Sequence, residues 1–192
     1  MNVQNRNNAI DTLLADSLKE LAASKPIEKI TIKEITDKAG VIRPTFYNHF
    51  QDKYELLEWI VQNELITPME PFLKRRMLKE SLSYALTSME KERDFYIQAV
   101  HLTGQNSFSD ILKKAIRTLL LKFLSEDAIE KKRDYPWLTS QKIADFYAES
   151  ISYVITSWAN EGMKIPEAEL ADTFVFLYSH SIFEVIEESK GK

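Results

Sequence analysis

Apolar residues recur every three or four positions along most of the chain, which is the spacing of a helix face buried against a core. The first such stretch runs from about Ala9 to Ser24, and Pro26 marks its end. No segment alternates steadily between apolar and polar residues between hairpin turns, so strands are not predicted. The pattern therefore predicts an all-α protein with about nine helices.

The next helix has clear start and stop signals. Thr31 and Glu34 have the spacing of a capping box, and Gly40 supplies the left-handed residue that often ends a helix. After a turn of about three residues the helical pattern resumes at Pro44 and ends near Phe50. Two short helices joined by a tight, glycine-containing turn form a helix-turn-helix, whose second helix can enter the major groove of DNA.

The remaining pattern continues to be helical. Asp52 and Glu55 predict the start of a fourth helix, which we expect Pro68 and Pro71 to interrupt. Further helices are predicted at about residues 72–90, 94–102, 109–124, 140–160 and 166–188.

Composition excludes several kinds of chemistry. The 192 residues contain no cysteine, so disulfides, thiolate zinc sites and iron–sulfur clusters are excluded. Four scattered glycines cannot build a P-loop or a dinucleotide-binding loop. The net charge of −4 is uneven, because residues 1–53 carry +1 and the rest carries −5. That distribution permits a DNA-facing N-terminal part on an acidic body.

Residues 31–57 read TIKEITDKAGVIRPTFYNHFQDKYELL. This stretch resembles the TetR family of one-component transcriptional regulators, which have a threonine-capped helix, Ala-Gly-Val, a Thr-Phe-Tyr-x-His-Phe recognition helix and Lys-x-x-Leu-Leu in this order. Ile42 departs from the family pattern, since a capping serine is usual there, and Pro44 stands where glycine is common. Residues 160–166 resemble the subgroup that includes the regulator of dihydroxyacetone-kinase operons.

The helix-turn-helix contains the predicted DNA-binding residues. Arginine can pair with guanine and asparagine with adenine, whereas hydroxyl groups more often reach phosphate. The residues predicted to face DNA are Thr31, Lys33, Arg43, Pro44, Thr45, Tyr47, Asn48, His49 and Lys53. The alternative is that the aromatic stripe is ordinary core and Lys53 a solvated charge.

The resemblance implies two domains: a helix-turn-helix DNA-binding domain over residues 1–53 and a helical ligand-binding and dimerisation domain over residues 54–192. The last two predicted helices have apolar residues on more than one side, and a dimer partner is one natural second neighbour. The predicted interface comprises Ile151, Val154, Ile155, Trp158, Phe174, Leu177, Tyr178, Ser181 and Ile182. The alternative is that both faces are buried within one monomer.

An effector pocket is expected to be mostly apolar with a few polar groups. The candidates for its lining are Phe95, Tyr96, His101, Phe108, Phe123, Phe146, Tyr147 and Tyr153. Aromatic residues at helical spacing also suit plain core. His101 and His180 are isolated from other ligand-type residues, so no metal site is predicted.

These features together predict a homodimeric, ligand-responsive regulator that reads a near-palindromic DNA operator in response to an unknown small molecule. Repression is the expected default, and no cofactor is implied. Catalytic motifs are missing from the sequence, so an enzyme is not expected. No stretch suits a membrane span or a signal peptide, and a cytoplasmic location is expected. The rival hypotheses are a helical protein-interaction module and an activator that needs a protein partner.

Overall fold

The computed structural model describes residues 3–124, 135 and 137–190, and every regular element in that part of the chain is helical. The predicted all-α class is confirmed. Short 3-10 turns cover Ile27–Lys29 and Gly104–Asn106. The α-helices, numbered here in chain order, are α1 Val3–Ala22, α2 Ile32–Ala39, α3 Arg43–His49, α4 Lys53–Ile60, α5 Thr67–Lys74, α6 Leu78–Lys91, α7 Arg93–Ala99, α8 Phe108–Leu121, α9 Ser140–Asn160, α10 Glu167–Ser179 and α11 Ile182–Lys190.

Helices α1, α2 and α3 form a compact unit at the N-terminal end, where α1 packs against both of the others and against α4. Leu14 and Leu18 of α1 are fully buried together with Ile35 of α2 and Phe46 of α3. These apolar contacts fix the orientation of α3 relative to the rest of the chain.

The larger C-terminal part is a layered set of helices in which α8 and α9 pack side by side. Helix α6 packs against α5 on one side and α10 on the other, while α7 reaches back to α1. The hydrophobic core runs without a break from Leu14 in α1 to Phe174 in α10. The N-terminal unit is therefore joined to the remaining helices by apolar packing as well as by the chain.

The prediction that Pro68 and Pro71 interrupt the fourth helix is wrong. A π-helical turn, Val61–Ile66, continues α4 directly into α5, and the helical path ends only at Lys74. Pro68 lies just after the π-helical turn and Pro71 lies inside α5, so the chain stays helical through both prolines. The break comes instead at residues 75–77, where Arg76 has a positive φ of 59°, so the predicted 72–90 helix is divided.

The predicted last helix over residues 166–188 is also two helices. His180 is extended, with φ −117° and ψ 142°, and ends α10. Ser181 then starts α11: its Oγ accepts a hydrogen bond from the Glu184 amide at 3.3 Å, and its own amide donates to the Glu184 carboxylate at 2.6 Å. This local capping box explains why the helix restarts, and these divisions give more than the predicted nine helices in the described residues.

A mostly buried lysine joins the N-terminal unit to the body. Lys19 of α1 donates to both carboxylate oxygens of Glu64 in the π-helical turn at 3.0 and 3.1 Å. Its Nζ also lies 3.2 Å from Asp16 and 3.4 Å from Glu92, which lies between α6 and α7. Burial alone would lower the pKa of Lys19, but these carboxylates raise it overall. The cluster thus holds a charged lysine at the junction of three segments.

Candidate functional site

Helix α2 begins with the predicted capping box. The Thr31 hydroxyl accepts from the Glu34 amide at 3.2 Å, and the Glu34 carboxylate accepts from the Thr31 amide and hydroxyl, each at 2.8 Å. Lys25 donates to the same carboxylate at 2.6 Å, and this bond, with those from Thr31, lowers the pKa of Glu34 to about 2. Gly40 ends the helix in the left-handed conformation at φ 69°. The start and stop predicted for this helix are confirmed.

Helix α3 is anchored by aromatic residues and begins without a side-chain cap. Phe46 and Phe50 are buried in the core of the N-terminal unit. Ile42 occupies the N-cap position, makes no side-chain hydrogen bond to the helix and is 69% exposed. Pro44 follows in the first turn, where its fixed φ suits the helix. The helix is therefore held in place by its buried side and not by its first turn.

The outer side of α3 presents a polar set. Arg43, Pro44, Tyr47 and Asn48 are exposed, and Thr45 is half-buried. The Arg43 guanidinium donates to the Tyr47 hydroxyl at 3.1 Å and lies 5.8 Å from the centre of its ring. A cation–π contact and a hydrogen bond thus hold an arginine and a tyrosine in one arrangement on the helix surface.

Two residues predicted to be free for DNA are engaged inside the protein, so those two assignments are corrected. The Nδ1 atom of His49 lies 2.6 Å from the Asp11 carboxylate of α1, and the two side chains are only 12% and 15% exposed. Lys53 donates to the backbone carbonyl oxygens of residues 27, 28 and 30 at 2.7–2.8 Å, and burial lowers its pKa. His49 joins α3 to α1, and Lys53 caps the 3-10 turn that precedes α2.

The two predicted DNA contacts on α2 lie at its surface. Thr31 is exposed, although its hydroxyl serves the capping box. Lys33 is largely exposed and forms an ion pair with Asp37, one turn further along the same helix, at 2.5 Å. Neither residue is buried by the fold.

The eight residues predicted to line an effector pocket do not enclose a common cavity, so this prediction is wrong. Phe95 and Phe108 each pack edge to face against Tyr96 within the core, with ring centroids 4.9 and 5.9 Å from that of Tyr96. The other five are exposed at the surface: His101, Phe123, Phe146, Tyr147 and Tyr153. The first three side chains fill the core and the other five lie at the surface, so the two groups do not face a shared space.

A different, wholly apolar cavity of about 50 Å³ lies among the π-helical turn, α5, α6, α8 and α9. No polar atom is exposed to its interior. Each of these segments contributes lining residues, among them Leu65, Met69, Leu82, Met89, Leu112 and Ile151. The leucine and methionine spacing in α6 was the available sequence signal, but it is indistinguishable from an ordinary core pattern.

The predicted dimer-interface residues divide into two groups. Ile155, Trp158 and Phe174 are buried within their own chain, and the Trp158 indole donates to the Ile165 carbonyl at 2.8 Å. These three assignments are corrected, because the residues have no surface left for a partner. Ser181 caps α11. The residues that retain exposed or half-buried surface are Ile151, Val154, Leu177, Tyr178, Ser181 and Ile182.

Exposed aromatic residues extend this second group. Phe146 and Tyr153 of α9 are about 70% exposed and line one groove together. Phe146 also lines a neighbouring groove with Tyr147 of α9 and Leu177 of α10. The Tyr178 hydroxyl of α10 lies 2.7 Å from the Ser150 hydroxyl of α9, which fixes the two helices against each other. We name the outer side of these two helices the α9–α10 surface.

Comparison with known proteins identifies the family. The family described as bacterial regulatory proteins, tetR family, matches residues 14–60, and a transcriptional regulator C-terminal region of TetR type matches residues 77–180. The second match alone covers more than half of the chain. The chain belongs to the TetR family. It is a TetR-family transcriptional regulator and not an enzyme, as the sequence predicted.

Individual relatives agree with this assignment. The regulator is 28% identical over 130 residues to the HTH-type dhaKLM operon transcriptional activator DhaS of Lactococcus lactis, which covers 68% of this chain and 67% of the relative. The solved structure of a dihydroxyacetone kinase operon activator DhaS matches with a TM-score of 0.61 and 25% identity, covering 88% and 93% of the two chains. The predicted resemblance to this subgroup is confirmed.

More distant structures share the fold. NalD, the secondary repressor of a multidrug efflux pump in Pseudomonas aeruginosa, matches at TM-score 0.54 and 19% identity over 86% of this chain and 92% of its own. The fatty acid degradation regulator FadR of Bacillus halodurans matches at TM-score 0.57 and 17% identity over 85% and 91%.

The described residues contain neither a membrane-spanning helix nor a cluster of metal ligands. No helix there is long and apolar enough to cross a membrane. Within the same part of the chain, no three histidine, aspartate or glutamate side chains are grouped as metal ligands would be.

Proposed function

We propose that the regulator binds a near-palindromic DNA operator through α3. The observation that carries this proposal is the exposed polar side of α3, where Arg43 and Tyr47 are already paired beside Asn48. Arg43 suits guanine and Asn48 suits adenine in the major groove, while Tyr47 and Thr45 suit phosphate oxygens. His49 is paired with Asp11 of α1 and Lys53 with carbonyl oxygens around the 3-10 turn, so both are left out of this contact set.

We also propose that two copies bind the operator together through the α9–α10 surface. Large exposed aromatic residues such as Phe146 and Tyr153 favour an interface, because contiguous apolar surface is costly in water. A two-fold dimer would place two α3 helices on half-sites about one helical turn of DNA apart. In this arrangement residues 1–53 form the DNA-binding domain and residues 54–192 the body, and the cytoplasm, where operator DNA lies, is the proposed location.

Responsiveness to a ligand is the third part of the proposal. A ligand that binds one spacing of the two α3 helices better than another would shift the population between them, and ligand and DNA affinities would then be reciprocally coupled. The apolar cavity supports this part, because the π-helical turn that forms one wall also holds Lys19 of α1 through Glu64.

Activation of transcription is a second candidate for the sign of regulation. DhaS, which resembles this chain over 130 residues, is named a transcriptional activator, whereas repression is the family default that the sequence suggested. A promoter-reporter assay with and without the regulator distinguishes the two: reporter output falls under repression and rises under activation. Neither sign alters the proposed role of α3.

The test of DNA recognition is an Arg43→Ala, Tyr47→Phe double variant, measured by fluorescence anisotropy on a duplex selected by the native protein. We expect affinity to fall at least tenfold, because the fold keeps these two side chains exposed and paired. The matched control is Arg75→Ala with Tyr84→Phe, which removes the same groups from the body. Full affinity in the first variant would show that another surface reads the DNA, as a protein-interaction role for α3 would require.

A further inference from the structure

The residue before α3 differs in kind from the residues before the two neighbouring helices. The Thr31 side chain accepts a hydrogen bond from an amide of α2, and the Asp52 side chain accepts from two amides of α4. Ile42 occupies the same position before α3, where its side chain makes no such bond. Its backbone still begins the helix, because its carbonyl accepts from the Thr45 amide at 2.9 Å. The first turn of α3 therefore forms without a contribution from the Ile42 side chain.

The Ile42 side chain also contributes little to the packing of the turn. It is 69% exposed, whereas the preceding residue, Val41, packs against the core and anchors the turn between α2 and α3. A single exposed apolar residue is ordinary on a protein surface. This one, however, lies at a position where serine, threonine, aspartate or asparagine is strongly preferred. Ile42 thus forgoes a capping bond and gains no core contact in exchange.

Ile42 lies beside the side chains that α3 presents to DNA in the proposed function. The next residue, Arg43, is exposed and donates to the Tyr47 hydroxyl at 3.1 Å. In a helix-turn-helix, the N-terminal residues of the second helix contact base edges in the major groove. Consecutive Cα atoms lie about 3.8 Å apart, which is close to the spacing of about 3.4 Å between stacked base pairs. A guanine contacted by Arg43 therefore brings a neighbouring base pair within reach of Ile42.

We propose that Ile42 recognises the methyl group of a thymine next to the guanine contacted by Arg43. The proposal rests on DNA recognition by α3 and adds a specificity-determining residue to it. Thymine is the only base with an apolar group at its major-groove edge, whereas the other three present hydrogen-bonding groups there. A donor or acceptor covered by the Ile42 side chain would be left unpaired. Contact with the thymine methyl group instead removes apolar surface of both partners from water.

The test replaces thymine by uracil in the duplex selected by the native protein, one position at a time and in both half-sites, which removes only the methyl group. Fluorescence anisotropy with the full chain measures affinity. At one position we expect affinity to fall about fourfold per half-site and roughly fifteenfold for both, as the loss of one buried methyl group predicts. Ile42→Ser should bind the thymine and uracil duplexes equally, whereas Ile42→Val should retain a preference for thymine. Because Ile42 is exposed, both variants should fold.

Leu13→Ala is the matched control, because Leu13 of α1 is an apolar residue that is 49% exposed, and this variant should respond to uracil as the native protein does. A thymine preference that persists in Ile42→Ser would assign the methyl contact to Pro44 or Tyr47 and overturn the proposal. Native affinity that is unchanged by uracil at every position would also overturn it. The Arg43→Ala, Tyr47→Phe variant is measured on the same duplexes. A loss of affinity there leaves DNA recognition by α3 intact when the role of Ile42 fails, whereas full affinity contradicts both.

Discussion

Replacing Lys19 by methionine tests how firmly the N-terminal unit is joined to the body. The Lys19 side chain is 9% exposed, and its main partner, Glu64, is 27% exposed. Breaking a buried ion pair costs about 3–5 kcal/mol, whereas an exposed pair contributes less than about 1 kcal/mol. Because Glu64 keeps some contact with water and the other two carboxylates are about half-exposed, we expect a loss of about 2–3 kcal/mol in unfolding free energy.

The dependence of that loss on pH identifies its cause. Burial raises the pKa of Glu64, and removing Lys19 should raise it further. A carboxyl whose folded pKa is raised destabilises the protein when it is charged, so the stability of the variant should recover as pH falls through the folded pKa of Glu64 toward its unfolded value. Lys19 has a raised pKa and stays charged below about 10.5, so its own titration does not contribute near neutrality.

The measurement is urea unfolding of the native and variant proteins at pH 8 and pH 5. We expect the difference between them to be smaller at pH 5. Lys33→Met is the matched control, because Lys33 is 73% exposed and a surface ion pair such as the one it forms with Asp37 contributes little to stability. A loss for Lys19→Met no larger than that of the control, or one independent of pH, would refute the reasoning.

Three further predictions concern single features of the fold. Ile42→Ser should supply the missing cap of α3 and raise the unfolding free energy by about 0.5–2 kcal/mol in urea melts; no gain would mean that the exposed isoleucine already stabilises the turn. Glu34 has a pKa of about 2, so its contribution to folding stability is present above the unfolded value of 4.5 and is lost as pH falls through 2. In Glu34→Gln the unfolding free energy should therefore fall less steeply between pH 4.5 and pH 2 than in the native protein, and an equal fall in both proteins would contradict this. Tyr153→Glu with Phe146→Glu should give a folded monomer by sedimentation, whereas Trp158→Glu should unfold the chain because that side chain is buried; a dimer in the first variant would exclude the α9–α10 surface as the interface.

Local signals in the sequence were sufficient wherever cause and effect lie within one turn of helix. The Thr31–Glu34 box and the Gly40 stop need only neighbours three or four residues away. The same reasoning missed the Ser181–Glu184 box, although its spacing is equally plain, because the apolar pattern continues across it. The π-helical turn has no signal of its own, since its extra residue per turn does not disturb the hydrophobic pattern visibly.

Contacts between segments far apart in the chain could not be predicted from the sequence. Lys53 is adjacent to a recognition helix and has the right charge for phosphate, but its Nζ meets carbonyl oxygens from 23 to 26 residues earlier. His49 likewise pairs with Asp11, 38 residues away. The cavity was missed because aromatic side chains were expected to line it, whereas packing placed leucine and methionine there. The type of a side chain limits which partners it can have, but only the arrangement of the helices determines which distant partner it meets.

The central claim is that a two-fold dimer reads DNA through α3. The most direct test is selection of bound duplexes from a random pool by the purified regulator, followed by a salt titration on the most enriched sequence. We predict a near-palindromic sequence whose affinity falls steeply with salt, because several phosphates are contacted on each half-site. Enrichment of an asymmetric single site, or of no sequence at all by a folded dimer, would contradict the claim.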